Sequence, residues 1–443
     1  MSFKVSGLII DSCNWILCAG LLVPALATPP SESPYSPSQS SIFGQIRTRT
    51  EFDHKALADT SINKTLVNTQ LRSRLGFVAT PSENVEVKIE LQDVRFMGGE
   101  PNTPATATTA AQTATTGNAK GVDLLQGYVL VQEGGIKVAL GRQKMSLGAG
   151  RFLSTLEWSP TSRSFDGISG NWTLGAGDLT ALYFLVRDTN TGVTNDRLSL
   201  SGLNYDYKFG ELFTEDVAVF YDQSRLKNVY SGDALHQYDF IYLDERIVGK
   251  RALIAYEGEF IWQGGVARDT AAISKRLTSN AFQAALRVGV VTPKIKANVG
   301  LDMMSGDSKP ADGNTNLYHA NYYFAHAYYG WMDYFGVNPK YGVADYRGDV
   351  DAKLWEKAGR SASLKAQYHY FTPESAPSGS DDPYGQEVDA EIHLMLYPKS
   401  DITLGAAAFI GGKSAPLLKV AGLTVGQSDK PGYFFYVMPV FNF

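Results

Sequence analysis

The 443-residue sequence contains two cysteines, Cys13 and Cys18, and both lie within the first 27 residues. If that segment is removed, the remaining chain has no disulfide framework, no thiolate metal site and no cysteine nucleophile. Long apolar runs are missing too. Beyond residue 27 no stretch of eighteen or more apolar residues occurs, so membrane-spanning helices are excluded. The net charge of −5 shows no sign of a nucleic-acid-binding surface. The six histidines (His54, His236, His319, His326, His369, His393) show no HExxH or other close ligand spacing, so no metal site is expected. Gly412-Lys413-Ser414 looks like the end of a phosphate-binding loop, but Ala407 stands where its leading glycine should be. The chain is therefore expected to need no cofactor and to perform no catalysis.

The amino-terminus resembles an export signal, with Lys4, an apolar segment from Trp15 to Val23, and Ala25-Leu26-Ala27 as a small-x-small cleavage site. Residues 1–27 are expected to be a signal peptide and 28–41 a Ser/Pro-rich flexible lead-in, with one β-barrel over 42–443.

From Ile42 onward the recurring signal has period two. Val85, Val87, Ile89 and Leu91 alternate with Glu86, Lys88, Glu90 and Gln92, which makes one greasy face and one charged face. Near the end, Val388, Ala390, Ile392 and Leu394 oppose Glu387, Asp389, Glu391 and His393. The last strand places Tyr433, Phe435, Val437, Pro439, Phe441 and Phe443 on one face and ends on that phenylalanine. Mean hydropathy is only −0.16. A transmembrane barrel accounts for both facts, because every second residue faces lipid and the others face a wet lumen.

About eighteen such segments can be counted. Short connections, such as Glu133-Gly134-Gly135, Gly175-Ala176-Gly177, Gly249-Lys250 and Pro398-Lys399-Ser400, alternate with long ones, such as 97–122, 145–163 and 306–344. Short periplasmic turns and long external loops are the asymmetry of an outer-membrane barrel. A soluble sandwich or propeller also alternates its residues. The export signal, the loop rhythm and aromatic residues at strand ends, as in Trp262, Tyr368-His369-Tyr370-Phe371 and Tyr397, count against it. The fold expected is all-β: a single antiparallel transmembrane barrel of about eighteen strands in a Gram-negative outer membrane. Its partners would be lipid and the barrel-insertion machinery that reads the last strand, and not nucleic acid.

Alternation also sorts the charges. Arg47, Arg49 and Glu51 share the lumen-facing side of the first strand, and Arg72 and Arg74 that of the second, so four guanidiniums should cluster inside. Such a cluster can hold carboxylates or phosphates, or it can pair with lumen acids such as Glu51, Glu86 and Glu90. Further acids fall on the inward register: Asp244, Glu257, Glu259, Glu387, Asp389 and Glu391.

Gly141-Arg142-Gln143, Gly148, Gly150-Arg151, Trp158 and Arg163-Ser164-Phe165-Asp166-Gly167 together resemble the most distinctive block of the alginate export family of outer-membrane porins. A second block, Ser305-Gly306-Asp307 followed by His326 and Gly330-Trp331-Met332-Asp333-Tyr334-Phe335, is similar to that family's long-loop signature. The resemblance implies an eighteen-stranded channel for an anionic polysaccharide or small anionic solutes, with Arg47, Arg49, Arg72, Arg74, Arg142, Arg151 and Arg163 along a positive pathway. Strict alternation would nonetheless put Arg142 on the lipid side unless a bulge intervenes. The mixture of acids leaves open a general or nutrient-uptake porin with weak charge selectivity, or a surface binding protein acting through its long loops.

Overall fold

In the computed structural model the described residues are 39–54, 65–97, 121–190, 195–225, 235–269, 276–309, 312–376, 382–420, 423–424 and 431–443. The proposed signal and nearly all of the lead-in lie outside them. Eighteen long strands follow one another: β1 Gln39–His54, β2 Leu66–Ser82, β3 Val85–Phe96, β4 Gly121–Glu133, β5 Ile136–Gln143, β6 Phe165–Leu174, β7 Gly177–Asn190, β8 Asn195–Phe209 and β9 Phe213–Arg225. The second half is β10 Leu235–Arg251, β11 Ile254–Asp269, β12 Arg276–Val291, β13 Ile295–Met304, β14 Val343–Lys357, β15 Arg360–Thr372, β16 Gly385–Tyr397, β17 Ser400–Gly411 and β18 Gly432–Asn442. Each pairs antiparallel with its neighbours in sequence, and β18 pairs with β1 from Gln45↔Asn442 to His54↔Tyr433, which closes the cylinder. Among the described residues none of these eighteen wall strands has an unpaired edge, as a lipid environment requires.

The period-two pattern sets the wall's two faces. On β18, Tyr433, Phe435, Val437 and Phe441 are exposed while Phe434 and Tyr436 are buried inside. On β12, Leu277, Ser279, Ala281, Gln283 and Ala285 point inward and Leu286, Val288 and Val290 outward. The wall is one residue thick, so its outer face carries apolar side chains without any core behind them.

Some boundaries differ from the sequence reading. The first strand starts at Gln39, because Gln39, Ser40 and Ser41 continue the hydrogen-bonded ladder opposite Thr80, Ala79 and Val78, although they carry no apolar signal. The turn expected at Gly249-Lys250 sits at Ala252-Leu253, and another lies at Ala358-Gly359. Both alanines adopt positive φ, 53° and 52°, a conformation for which Ala is a poor advertisement in a sequence.

The carboxy-terminus lies beside short turns: Phe443 exchanges backbone hydrogen bonds with Gly44, and the Asn442 N–H donates to Lys399 O in the β16–β17 turn. At the opposite end are the long connections. Two of them, 144–164 between β5 and β6 and the described residues 305–309 and 312–342 between β13 and β14, fold into the cylinder. A barrel of this size would otherwise enclose an aqueous channel. Here the two loops supply an internal core in which Phe152, Leu153, Tyr322, Tyr329, Met332 and Phe335 pack against inward residues such as Phe184, Phe220, Tyr242 and Phe371.

Candidate functional site: an arginine wall and a charge-balanced wall

On one side of the lumen, β1 and β2 present their arginines across the ladder, with Arg47 directly opposite Arg72 and Gln45 opposite Arg74. Like charges in that position repel unless something lies between them. The tip of loop 144–164 supplies it. Arg47 donates to the carbonyls of Glu157 (2.8 Å) and Ser159 (2.9 Å), Arg49 to that of Trp158 (2.5 Å), and Arg72 to those of Glu157 (3.2 Å) and Ser159 (3.3 Å). Arg74 binds the Glu157 carboxylate at 2.9 Å and also the Ser162 hydroxyl. Lys144 reaches the other carboxylate oxygen at 3.0 Å.

Glu157 is thus a single carboxylate facing several cations. Burial pushes its pKa up, but Arg74, Lys144 and Arg72 pull it down from 4.5 to about 2, so it stays ionised in neutral solution. Glu51 answers Arg49 at 2.7 Å, and Glu90 is occupied by Gln126 (2.6 Å). Glu86 accepts from Tyr128 (3.1 Å). Among the described residues Arg47 finds carbonyls and no carboxylate within hydrogen-bond reach, which leaves its charge over on this wall.

Across the lumen the arrangement is different. Arg151, almost wholly buried, reaches from loop 144–164 to Glu257 (2.9 Å) and Glu259 (2.5 Å) on β11 and to Asp302 (3.2 Å) on β13. Arg246 bridges Asp216 (2.7 Å) and Glu257 (3.0 Å), Arg287 holds Asp302 (2.5 Å), and Arg347 joins Asp349 (2.5 Å) to Asp302 (3.4 Å). Each of these cations has an acid, while Asp244 on β10, also inward by register, leaves one carboxylate oxygen buried without a hydrogen-bond partner. Despite burial, Asp302, Glu259 and Glu257 hold the Arg151 pKa above its ordinary value.

The second loop is pinned beside it. The Met332 N–H donates to Glu387 (2.8 Å) on β16, and Arg347 donates to Tyr328 O (2.7 Å). Asp389 and Asp345 flank His369 at 3.5 and 2.8 Å, and Glu391 accepts from Tyr436 (2.5 Å). Between the loops runs a column of rings: Arg49 lies 4.1 Å over Trp158, Trp158 stacks on His326 at 3.8 Å, and Lys365 of β15 lies 5.5 Å over Trp331. A cavity of about 330 Å³ opens beside this column, lined by Arg49, Asp53, Trp158, Arg163, His326 and Asp333.

Three of the arginines assigned to the pathway take other places. Arg142 follows strict alternation, with Ala139 and Gln143 buried inside, so its guanidinium sits on the outer face and binds Asp166 at 2.6 Å. Arg151 is the centre of the balanced wall. Arg163 clamps the two loops, donating to Ser154 O (3.3 Å) and Tyr322 O (2.5 Å); burial lowers its pKa to about 10, which leaves it charged. Glu157 and Lys144 escaped the sequence reading because they lie in a loop with no period. Arg287 and Asp302 fall on the polar face that alternation predicts, and Arg246 and Arg347 were within reach of the same rule.

A family model described as alginate export matches residues 38–339, more than half of the sequence. The chain belongs to the alginate export family. No curated protein matches it by sequence. Solved structures of outer-membrane proteins share its fold. A BenF-like porin from Pseudomonas fluorescens Pf-5 matches with a TM-score of 0.61 at 11% identity, covering 91% of this chain and 98% of that one. OccAB1 of Acinetobacter baumannii gives 0.58 at 10% over 92% and 96%, and OprD of Pseudomonas aeruginosa 0.56 at 11% over 91% and 94%. This member of the alginate export family is an outer-membrane β-barrel channel, embedded in the outer membrane of a Gram-negative bacterium.

Proposed function

We propose that the channel passes anionic solutes, uronate-type carboxylates or the acidic polymer built from them, along the β1–β2 arginine wall. The observation that carries this reading is the cationic excess there: Arg47, Arg49, Arg72, Arg74 and Lys144 converge on a loop tip that brings one carboxylate, Glu157, and a row of carbonyl oxygens. Those oxygens occupy the positions that a substrate's carboxylates would take. Arginine's planar fork suits such an exchange, since one pair of hydrogen bonds can be traded for another of the same geometry. Passage then requires loop 144–164 to withdraw while the anion takes over its contacts, and no chemical step is needed.

A salt-gradient measurement in planar bilayers tests this. An anion-selective reversal potential is expected, falling toward zero when Arg47, Arg49, Arg72 and Arg74 are all replaced by alanine. A wild-type potential that is cation-selective, or one indifferent to those replacements, would overturn it. The balanced wall from β10 to β14 favours a second reading, a general porin with weak selectivity, which predicts conductance with a potential near zero in both proteins.

A further inference from the structure

On the outside of the barrel, at its long-loop end, a groove of about 360 Å³ crosses β9 to β12, lined by Arg225, Gln237, Asp239, Val266, Arg268 and Arg276. These side chains belong to the outward register, since their neighbours Ser224, Tyr238, Ala267 and Leu277 are buried on the inner face. Arg225 is answered by Asp239 at 2.7 Å, an acid that also accepts from Tyr221 (2.5 Å) and Gln223 (3.0 Å). Arg268 and Arg276 are not answered. They stand directly opposite each other in the β11–β12 ladder, both exposed, and among the described residues neither makes an ion pair. Two unpaired guanidiniums on adjacent strands repel at a cost that an intervening anion removes.

Their position relative to the lipid identifies that anion. Along the same strands, away from the loops, the outer face becomes apolar and aromatic: Val219 and Tyr221 on β9, Ile241 and Leu243 on β10, Phe260 on β11, Leu286 on β12. At the transition Trp262 turns its indole N–H to Asn280 (2.9 Å) and Tyr221 its hydroxyl to Asp239, each ring in grease and each polar tip toward the groove. Amphipathic rings of this kind mark the hydrocarbon boundary. Arg225 is four residues beyond Tyr221 and Arg276 four residues from Asn280, roughly 13 Å along each strand at the usual rise, which puts these guanidiniums on the loop side of that boundary, where lipid headgroups lie.

We propose that this groove binds the phosphate groups of an anionic glycolipid of the outer leaflet, with Arg268 and Arg276 gripping a phosphate between them and Arg225 at the groove's edge. Paired N–H donors match phosphate oxygens, and basic pockets at the bilayer surface recognise lipid headgroups in this way. The site is separate from the lumen. It neither uses the transport arginines nor depends on the substrate proposed above.

The test is titration of the delipidated full-length barrel in neutral detergent with bisphosphorylated lipid A, counting bound lipid by native mass spectrometry. One tightly held lipid is expected. Its affinity should fall at least tenfold in the R268A/R276A and R268Q/R276Q double variants, be largely kept in R268K/R276K, and weaken with added salt. Lipid lacking both phosphates should bind at least tenfold more weakly to the wild type. Equal binding by the alanine and glutamine variants, equal binding of the dephosphorylated lipid, or complete displacement by inorganic phosphate at an equal concentration would each overturn the assignment, the last showing a free-anion site. The reversal potential of the double variants should equal that of the wild type, so failure of this proposal is distinguishable from failure of the transport reading.

Discussion

The two walls of the lumen use the same side chain to opposite ends. On β1 and β2, Arg49 meets Glu51, but Arg47, Arg72 and Arg74 lean on backbone carbonyls and the single loop carboxylate of Glu157, so charge remains over. On β10 to β14, every arginine is answered by wall carboxylates, and the acids are at least as many as the cations. Loop 144–164 touches both, through Glu157 on the first wall and Arg151 on the second. An arginine on an inward register therefore does not by itself mean a selective pathway. What separates the two cases is whether its partner is a carboxylate of the wall or a loop group, which on the proposed reading a solute replaces.

The largest expected effect comes from Arg151→Ala. Removing the central cation leaves Glu257, Glu259 and Asp302 crowded in a dry site with Arg246, Arg287 and Arg347 as remaining partners. Breaking a buried pair in this way costs about 3–5 kcal/mol, because the surviving charges stay buried. Loop 144–164 should lose its anchor, the thermal midpoint in detergent should fall by several degrees, and single-channel conductance should rise. Unchanged stability and conductance would show that the balanced wall does not hold the loop.

That contrast was half visible in the sequence. Period two located the wall, and with it the inward positions of Arg47, Arg49, Arg72 and Arg74, because a strand leaves a side chain only two directions. It also indicated that Arg142 faces outward, where the family resemblance implied otherwise. Loops carry no such rule. Nothing in the spacing of Glu157, Trp158 or Arg163 shows that they fold into the cylinder, since their places depend on contacts with strands more than 80 residues away in sequence, as when Arg74 meets Glu157. Ala252 and Ala358 illustrate the same gap at the other end: their left-handed turns are dictated by hairpin geometry and not by residue preference.

Glu157→Gln probes the opposite wall and should do less. The amide keeps one acceptor for Arg74 but removes the charge that offsets Arg72, Arg74 and Lys144, so anion selectivity should increase while stability drops by about 1 kcal/mol. Acidification should mimic it. The folded-state pKa of Glu157, about 2, lies below its ordinary 4.5, so its contribution is fully present above pH 4.5 and lost as pH falls through 2. Because its side chain is 40% exposed, solvent screens much of that interaction, and the loss is on the order of 1 kcal/mol. Conductance recorded from pH 5 down to pH 2 should therefore rise in the wild type and stay flat in the Gln variant. A rise of equal size in both would assign the transition to some other group.

The smallest effect on charge selectivity concerns the column of rings that ties the loops together. Trp158→Leu removes the stack on His326 and the ring beneath Arg49 but leaves the Glu157, Trp158 and Ser159 carbonyls in place for the arginines. Stacked and cation–π contacts of this kind are worth about 0.5–1.5 kcal/mol each, so stability should change less than in Arg151→Ala. The reversal potential should be preserved, because no charge is altered, while current fluctuations increase as loops 144–164 and 305–342 part more often. Were Trp158→Leu to open the channel more than Arg151→Ala does, the ring column would be the main lock, and the balanced wall would serve only to neutralise the lumen.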